Sequence, residues 1–432
     1  MSQIISLEGT AIKAKVPSLG GTTAWLIWVL AVAFVIFVFS IQTGYSIVNP
    51  SIQRDIGLTV AQVGLIAATY TWSFAVFQLF SGALLDRLGA RKVLLPAIAL
   101  VTIGAFAFAH ASSFHSIVAA QVILALGACA GFVGAGYVGG QWFGMAKFSL
   151  MFGLVQCFAS FFSAFNQNLF GFALKHVVWR ELFTWIGLAG IALVILAVFF
   201  IRDPSPVAGP GLKQGIGKFA RDVLSGMLEV AKVGRVWIAA AYGALVFGTL
   251  LAAGVVWAPK LMLVRGLPQD TANLAASALW LGLAVGCLLI PWWSDAIKRR
   301  KLPVVVGIAV QLAALLAIVY VPQLGTVTLI ALWFAFGAGA AAHMLAFSAA
   351  GDVVRLDQIG TSAAIVNGTM FIGSGFLIEL PGTIASHALA GGGPATLEIA
   401  ASAALPLVLA LVAALVLGAL IRESYPKTPG GA

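Results

Sequence analysis

The chain has 432 residues, of which 61% are hydrophobic and 9% charged, with 24 Lys and Arg against 14 Asp and Glu. Its mean hydropathy of +1.05 excludes a water-soluble globular domain, since such chains run near half apolar with about a quarter charged. The three cysteines (Cys129, Cys157, Cys287) all lie in apolar runs and match no metal spacing, so neither a disulfide framework nor a metal site is expected.

Residues 1–24 form a polar tail with Lys13 and Lys15, and no cleavage-site pattern follows the first apolar run, which reads as a retained helix. Apolar runs long enough to cross a bilayer then recur twelve times, at 25–47, 59–85, 93–111, 116–139, 148–174, 182–201, 236–259, 271–293, 302–321, 326–350, 359–384 and 400–421. The longest polar interruption, 202–235, opens with Asp203-Pro204-Ser205-Pro206 and Gly209-Pro210-Gly211, so its start is extended. Its later part, 218–232, has helical spacing and is expected to lie along the membrane surface. The expected organisation is a tail at 1–24, a six-helix bundle at 25–201, a central loop at 202–235, a second six-helix bundle at 236–421 and a tail at 422–432. The fold class is therefore an all-α integral membrane protein. The 48 glycines suit close packing of its helices.

With both termini inside, the inner segments hold nineteen Lys and Arg and the outer loops five (Arg54, Lys175, Arg180, Lys260, Arg265). That asymmetry orients a multi-pass protein of the cell inner membrane with cytoplasmic termini. It also accounts for the basic charge without a nucleic-acid partner.

Between the second and third runs lies a charged hairpin, Gly82-Ala83-Leu84-Leu85-Asp86-Arg87-Leu88-Gly89-Ala90-Arg91-Lys92. Gly82, Asp86, Arg87, Gly89, Arg91 and Lys92 resemble the G-x-L-x-D-R-x-G-R-R/K loop of the major facilitator superfamily, with Ala90 where many members carry Arg. The resemblance implies that the Gly lets a helix of the other half approach closely and that the Asp sits on a helix N-terminus, where the dipole favours an anion. Both contacts would hold the cytoplasmic side shut. A degenerate copy follows the eighth run, with Asp295, Arg299, Arg300 and Lys301 in matching places and Pro291 and Lys298 where Gly is usual. Gly360-Thr361-Ser362-Ala363-Ala364-Ile365-Val366-Asn367 is similar to the family's G-T-A-x-G-x-x-N, and Trp179-Arg180 to its W-R. The implied architecture is two parallel-related six-helix bundles with a solute site between them near the midplane.

Polar residues inside apolar helices must find a partner or line water, so they mark the expected cavity. Gln42, Tyr45 and Asn49 share a face of the first helix, Gln156, Ser160, Ser163 and Gln167 form a stripe on the fifth with Asn166 beside it, and Asn367 sits on the eleventh. Tyr70, Trp257 and Trp280 are candidate aromatic walls. His343 is the one titratable side chain near the middle of a run. It is read equally as the proton-coupling candidate and as a neutral hydrogen-bonding residue. The expected gating set is Gly82, Asp86, Arg87, Gly89, Arg91, Lys92 and Asp295.

Absences narrow the class. Gln121 stands where many proton-coupled members carry Arg, the fifth helix lacks the motif of drug–proton antiporters, and neither the second nor the eighth helix has the Arg of nitrate carriers. No Walker loop, H-E-x-x-H or intramembrane carboxylate pair supports ATP-driven or hydrolytic chemistry, so no enzyme and no cofactor is expected. The expected function is secondary transport of a small polar organic solute (an amino acid, nucleoside, carboxylate or sugar derivative) by a monomer in the lipid bilayer, with protons as the candidate coupling ion. Two alternatives stand beside it: an exporter of a siderophore, drug or amphipathic product, and a receptor or scaffold that moves nothing.

Overall fold

In the computed structural model, residues 20–204, 215–389 and 396–425 are described, together with all but a few of their side chains. The tail lysines Lys13 and Lys15, the segment Gly209-Pro210-Gly211 and the end of the C-terminal tail lie outside these residues.

The described residues are helical almost throughout. The first bundle comprises α1 (Thr22–Ile56), α2 (Val60–Leu88), α3 (Ala90–Ala109), α4 (Phe114–Ala128), α5 (Gly131–Phe143), α6 (Phe148–Ala173) and α7 (Trp179–Phe200). A surface helix, α8 (Ile216–Ala231), precedes the second bundle of α9 (Gly234–Leu251), α10 (Ala258–Val264), α11 (Gln269–Ala296), α12 (Lys301–Tyr320), α13 (Thr326–Ala340), α14 (Met344–Gly351), α15 (Ile359–Leu389) and α16 (Leu397–Leu420). Ten stretches are long and apolar enough to cross a membrane among the described residues, and α2 and α6 complete twelve crossings.

Local chemistry sets where the helices start and bend. Thr59 and Ser113 accept from the backbone N–H of Gln62 and Ser116, three residues on, and so satisfy donors that would otherwise be orphaned in the first turns of α2 and α4. Pro259 cannot donate to the carbonyl four residues back. The helix widens there into a π segment, Ala252–Trp257, joining α9 to α10. One 3-10 turn, Ala341–His343, separates α13 from α14 and offsets His343 from a straight helical ladder.

Boundaries differ from the sequence reading in several places: the fourth run breaks between α4 and α5, and the seventh continues through α10 to Val264. Helix α1 continues nine residues past position 47, because Pro50 removes only one donor and the chain carries on helically to Gly57, whose φ of 72° ends it. Helix α15 runs five residues past 384, through Pro381. The helical spacing read at 218–232 forms α8, whose Phe219 and Val223 bury against Ala83 of α2.

The bundles meet along two seams related by the internal repeat, α2 against α15 and α6 against α11. In both, helix backbones touch. A Cβ at Gly82 would fall on the carbonyl of Gly360, and one at Gly153 of α6 on the carbonyl of Cys287 of α11. Only glycine permits such approach, which is the small-residue packing that membrane helices rely on.

Candidate functional site

Two sets of polar residues stand out: a network at the basic face, where the charged hairpin lies, and a cavity between the bundles.

At the basic face, Gly89 turns the chain between α2 and α3 with φ 83°, a conformation that disfavours other residues. This turn places Asp86 at the end of α2, against the first turn of α15. Its carboxylate is 8% exposed. It accepts from the backbone N–H of Gly360 at 2.8 Å and from both the N–H and Oγ1 of Thr361 at 2.7 Å. These are charge-assisted bonds on a helix N-terminus, where the dipole adds to them. Arg87 lies over Gly226 of α8 and within electrostatic reach of Asp357. Arg91 donates to the carbonyls of Ile201 at 2.6 Å and Val198 at 2.9 Å, closing the C-terminal end of α7. Asp203 caps α3, accepting from the N–H of Ala90 at 2.6 Å and Arg91 at 3.3 Å. Burial pushes the Asp203 carboxyl up, and these two N–H groups with the charges of Lys92 and Arg91 offset only part of that rise. The expected gating residues of the first copy thus divide between two sets of contacts at this face, Gly82 and Asp86 against α15 and Arg91 with Asp203 joining α3 to α7.

The second copy builds a parallel arrangement. Asp295 lies within electrostatic reach of Ser149 and Leu150 in the first turn of α6, the place that matches the seat of Asp86 on α15. Arg300 stands five residues after Asp295, as Arg91 stands after Asp86, and is fully buried. It donates to Asp295 at 2.6 Å and Asp352 at 3.0 Å, and its guanidinium lies 4.6 Å from the Tyr425 ring centre. Glu423 accepts from the N–H of Arg300 at 2.8 Å and Lys301 at 3.4 Å and caps α12, in the way that Asp203 caps α3. The Oγ atoms of Ser149 and Ser348, 2.6 Å apart, bond across the bundles.

The central cavity measures ≈ 20 Å³, room for about one water. Gln42 of α1 and Gln156 of α6 reach it from the first bundle, His343 and Asn367 of α15 from the second. Phenylalanines 39, 74, 132, 247, 347 and 371 form most of the wall. The His343 ring is fully buried against Phe247, with Nδ1 2.6 Å from the Ala340 carbonyl oxygen and Nε2 without a protein partner. Nδ1 therefore carries the proton and leaves Nε2 as an acceptor. Gln156 donates to Ser160 at 3.0 Å, and Asn367 to Gln78 at 3.1 Å. No Lys, Arg, Asp or Glu lines the cavity among the described residues.

Other residues marked from the sequence lie elsewhere. The Tyr45 hydroxyl donates to the Val63 carbonyl at 2.9 Å and ties α1 to α2, while Asn166 donates to Ser40 at 2.6 Å and ties α6 to α1. Tyr70 stacks on Phe74 one layer behind the wall. Trp280 packs over Gly254 of the π segment. Trp257 lines a separate groove with Lys260, whose ammonium is 5.0 Å from its ring centre. The side chains of Asn49, Ser163 and Gln167 lie outside the described residues. Helical spacing alone does not say whether a polar stripe faces the cavity or a neighbouring helix.

Gln78, Asp352 and Glu423 were missed by the sequence reading. Gln78 offered a signal, being a polar amide within the second apolar run. Asp352 and Glu423 sit at helix ends, where carboxylates are ordinary.

Residues 28–378 match the sequence profile of the Major Facilitator Superfamily. The probable sulfoacetate transporter SauU of Cupriavidus necator is 24% identical over 162 residues, 38% of each chain. The hexuronate transporter of Bacillus subtilis is 22% identical over 380 residues, 82% of this chain and 87% of that one. The probable galactarate/D-glucarate transporter GudP of the same bacterium is 27% identical over 168 residues, 37% of this chain and 36% of its own length. The alignments with SauU and GudP thus span little more than a third of those relatives. Among solved structures, the proton:xylose symporter XylE bound to 6-bromo-6-deoxy-D-glucose shares the fold, with a TM-score of 0.68 and 15% identity over 94% of this chain and 97% of that one. Twelve crossings in two repeated bundles, together with a profile match that spans both of them, place the chain in the major facilitator superfamily.

Proposed function

We propose that the protein is a secondary transporter that carries a small polar organic solute across the inner membrane by alternating access, with its basic face toward the cytoplasm. The observation that carries this reading is the convergence of Gln42, Gln156, His343 and Asn367, two from each bundle, on one aromatic-walled cavity at the seam. The buried Nε2 of His343 has no protein partner, which is costly at that depth unless another group meets it, and a solute is such a group. The amides supply donors and acceptors, and the phenylalanines supply apolar area. The relatives are named for sulfoacetate, hexuronate and galactarate or glucarate, which favours the carboxylate among the expected solutes. With no fixed cation in the lining, recognition of a carboxylate falls to the amide N–H groups of Gln42, Gln156 and Asn367. In this reading the networks of Asp86 and Asp295 hold the cytoplasmic side closed and part when the solute is released.

The test is uptake into proteoliposomes from a pool of isotope-labelled organic acids, sugar acids, amino acids and nucleosides, with and without a pH gradient. Accumulation of one class is expected, reduced about tenfold by Gln156→Ala or Asn367→Ala. Uptake that both variants leave unchanged overturns the site. The six phenylalanines of the wall also suit an amphipathic product. Loading the pool inside the vesicles and measuring loss separates that exporter reading.

A further inference from the structure

A second cavity, of ≈ 340 Å³, opens at the basic face where α9 begins and α16 ends. Its lining is Gly234, Arg235, Ile238 and Ala239 of α9, Ala349 of α14, and Leu420, Ile421 and Arg422. Two arginines therefore border an otherwise apolar lining. Arg235 Nη2 donates only to neutral acceptors, the backbone carbonyls of Arg422 at 3.2 Å and Glu423 at 3.4 Å. Neither Arg235 nor Arg422 is in an ion pair among the described residues, and no carboxylate lines the cavity. The carboxylate nearest in sequence, Glu423, accepts instead from the N–H groups of Arg300, Lys301, Ser424 and Tyr425. The position is set by Trp237, which is 45% exposed and donates through Nε1 to the Ala231 carbonyl. An exposed indole beside a helix end marks the headgroup level of a bilayer.

We infer that the Arg235–Arg422 cavity binds the phosphate of an anionic phospholipid from the leaflet on the basic side. The two arginines would take the phosphodiester by charge-assisted bonds. The glycerol and first methylenes would cover Ile238, Leu420 and Ile421. A basic pocket between helices at the membrane face is the kind of site that selects acidic headgroups. A free phosphate would satisfy the arginines and leave those apolar side chains wet, so the lipid is the better fit. Because Arg235 also holds the backbone of 422 and 423, an occupied site would steady the segment that caps α12 and stacks on Arg300.

The experiment is native mass spectrometry of the full-length protein released from nanodiscs of phosphatidylcholine with phosphatidylglycerol as the minor component. The native chain should retain phosphatidylglycerol. Arg235→Gln and Arg422→Gln should each reduce retention about fivefold and the double variant about thirtyfold, since each basic residue contributes separately to binding an acidic headgroup. The charge-preserving pair Arg235→Lys and Arg422→Lys should keep most of it, and this pair also serves if the glutamine double variant fails to fold. Inorganic phosphate added at millimolar concentration should not displace the lipid. Displacement by phosphate would make this a free-anion site and overturn the proposal. Equal retention by the native chain and the glutamine variants would overturn it as well.

Discussion

Thr361 gives Asp86 two hydrogen bonds at 2.7 Å, one from its backbone N–H and one from Oγ1, so a side chain at the end of α2 is held by the first turn of α15 in the other bundle. The Gly360 N–H adds a third at 2.8 Å. Three donors and a helix dipole converge on this buried carboxylate and offset part of the cost of burying it.

Asp86→Asn should weaken this junction sharply. The amide keeps one acceptor and turns an NH₂ group toward donors that have nothing to accept it. Hydrogen bonds to a charged group contribute about 1.5–3 kcal/mol, so the closed form should lose about ten- to hundredfold in relative population. Transport should fall while insertion and abundance stay near normal, and a cysteine at Thr361 should react faster with a membrane-impermeant maleimide from the basic face. Unchanged transport rates in the Asn variant would remove Asp86 from gating.

Gly82→Ala tests the same seam through sterics alone. The added methyl would overlap the Gly360 carbonyl, and two helix backbones offer no flexible side chain that can give way. The seam must open by a few tenths of an ångström or more, and the Asp86 bonds lengthen with it. The expected outcome is a loss of disulfide cross-linking between cysteines placed in α2 and α15 on the basic side, with cross-linking between α6 and α11 retained. Equal cross-linking in variant and native chains would show that the seam tolerates the methyl.

Much of this was legible in the residues, and the part that was not has a physical reason. The crossings, the hairpin and its degenerate copy followed from hydropathy and from the order of Gly, Asp and Gly in 82–89. Gln42, Gln156, His343 and Asn367 reach one cavity, while Tyr45 and Asn166 satisfy themselves on neighbouring helices. Both groups look alike in sequence, because an apolar helix with one polar residue does not reveal which neighbour that residue faces. Arg300 had a readable cue in its five-residue spacing from Asp295, which matches Arg91 and Asp86. Its partner Asp352 had none, since a lone carboxylate at a helix end is common.

Arg300 should matter more for stability than any exposed ion pair. Its side chain is fully buried between Asp295 and Asp352, and Asp352 is itself nearly inaccessible at 1%. Arg300→Met removes one partner and strands buried carboxylates, a change that costs about 3–5 kcal/mol. A large fall in melting temperature in detergent is expected. Arg355, paired with Asp357 at 3.0 Å, is 66% exposed. Arg355→Gln should leave the melting temperature unmoved, because water already solvates both charges. Equal effects of the two substitutions would contradict the burial argument.

The C-terminal segment that covers Arg300 should loosen in acid. Burial pushes the Glu423 carboxyl up, but the N–H groups of Arg300, Tyr425, Lys301 and Ser424 outweigh it, leaving the group below its ordinary value of 4.5. A carboxyl depressed by folding contributes stability that is complete above that value and lost as pH falls through its lower folded value. Protonation removes the acceptor charge that caps α12. The neighbouring Asp352 is pushed the other way, upward by burial with Arg300 offsetting part of it, so its contribution falls as pH rises and cannot imitate this effect. Hydrogen exchange at the Arg300 and Lys301 amides, corrected for the intrinsic pH dependence of exchange, should lose protection as pH is lowered below 4.5. Glu423→Gln should show the reduced protection already at neutral pH and little further change in acid. Protection that declines with pH equally in the Gln variant would assign the acid response to another group.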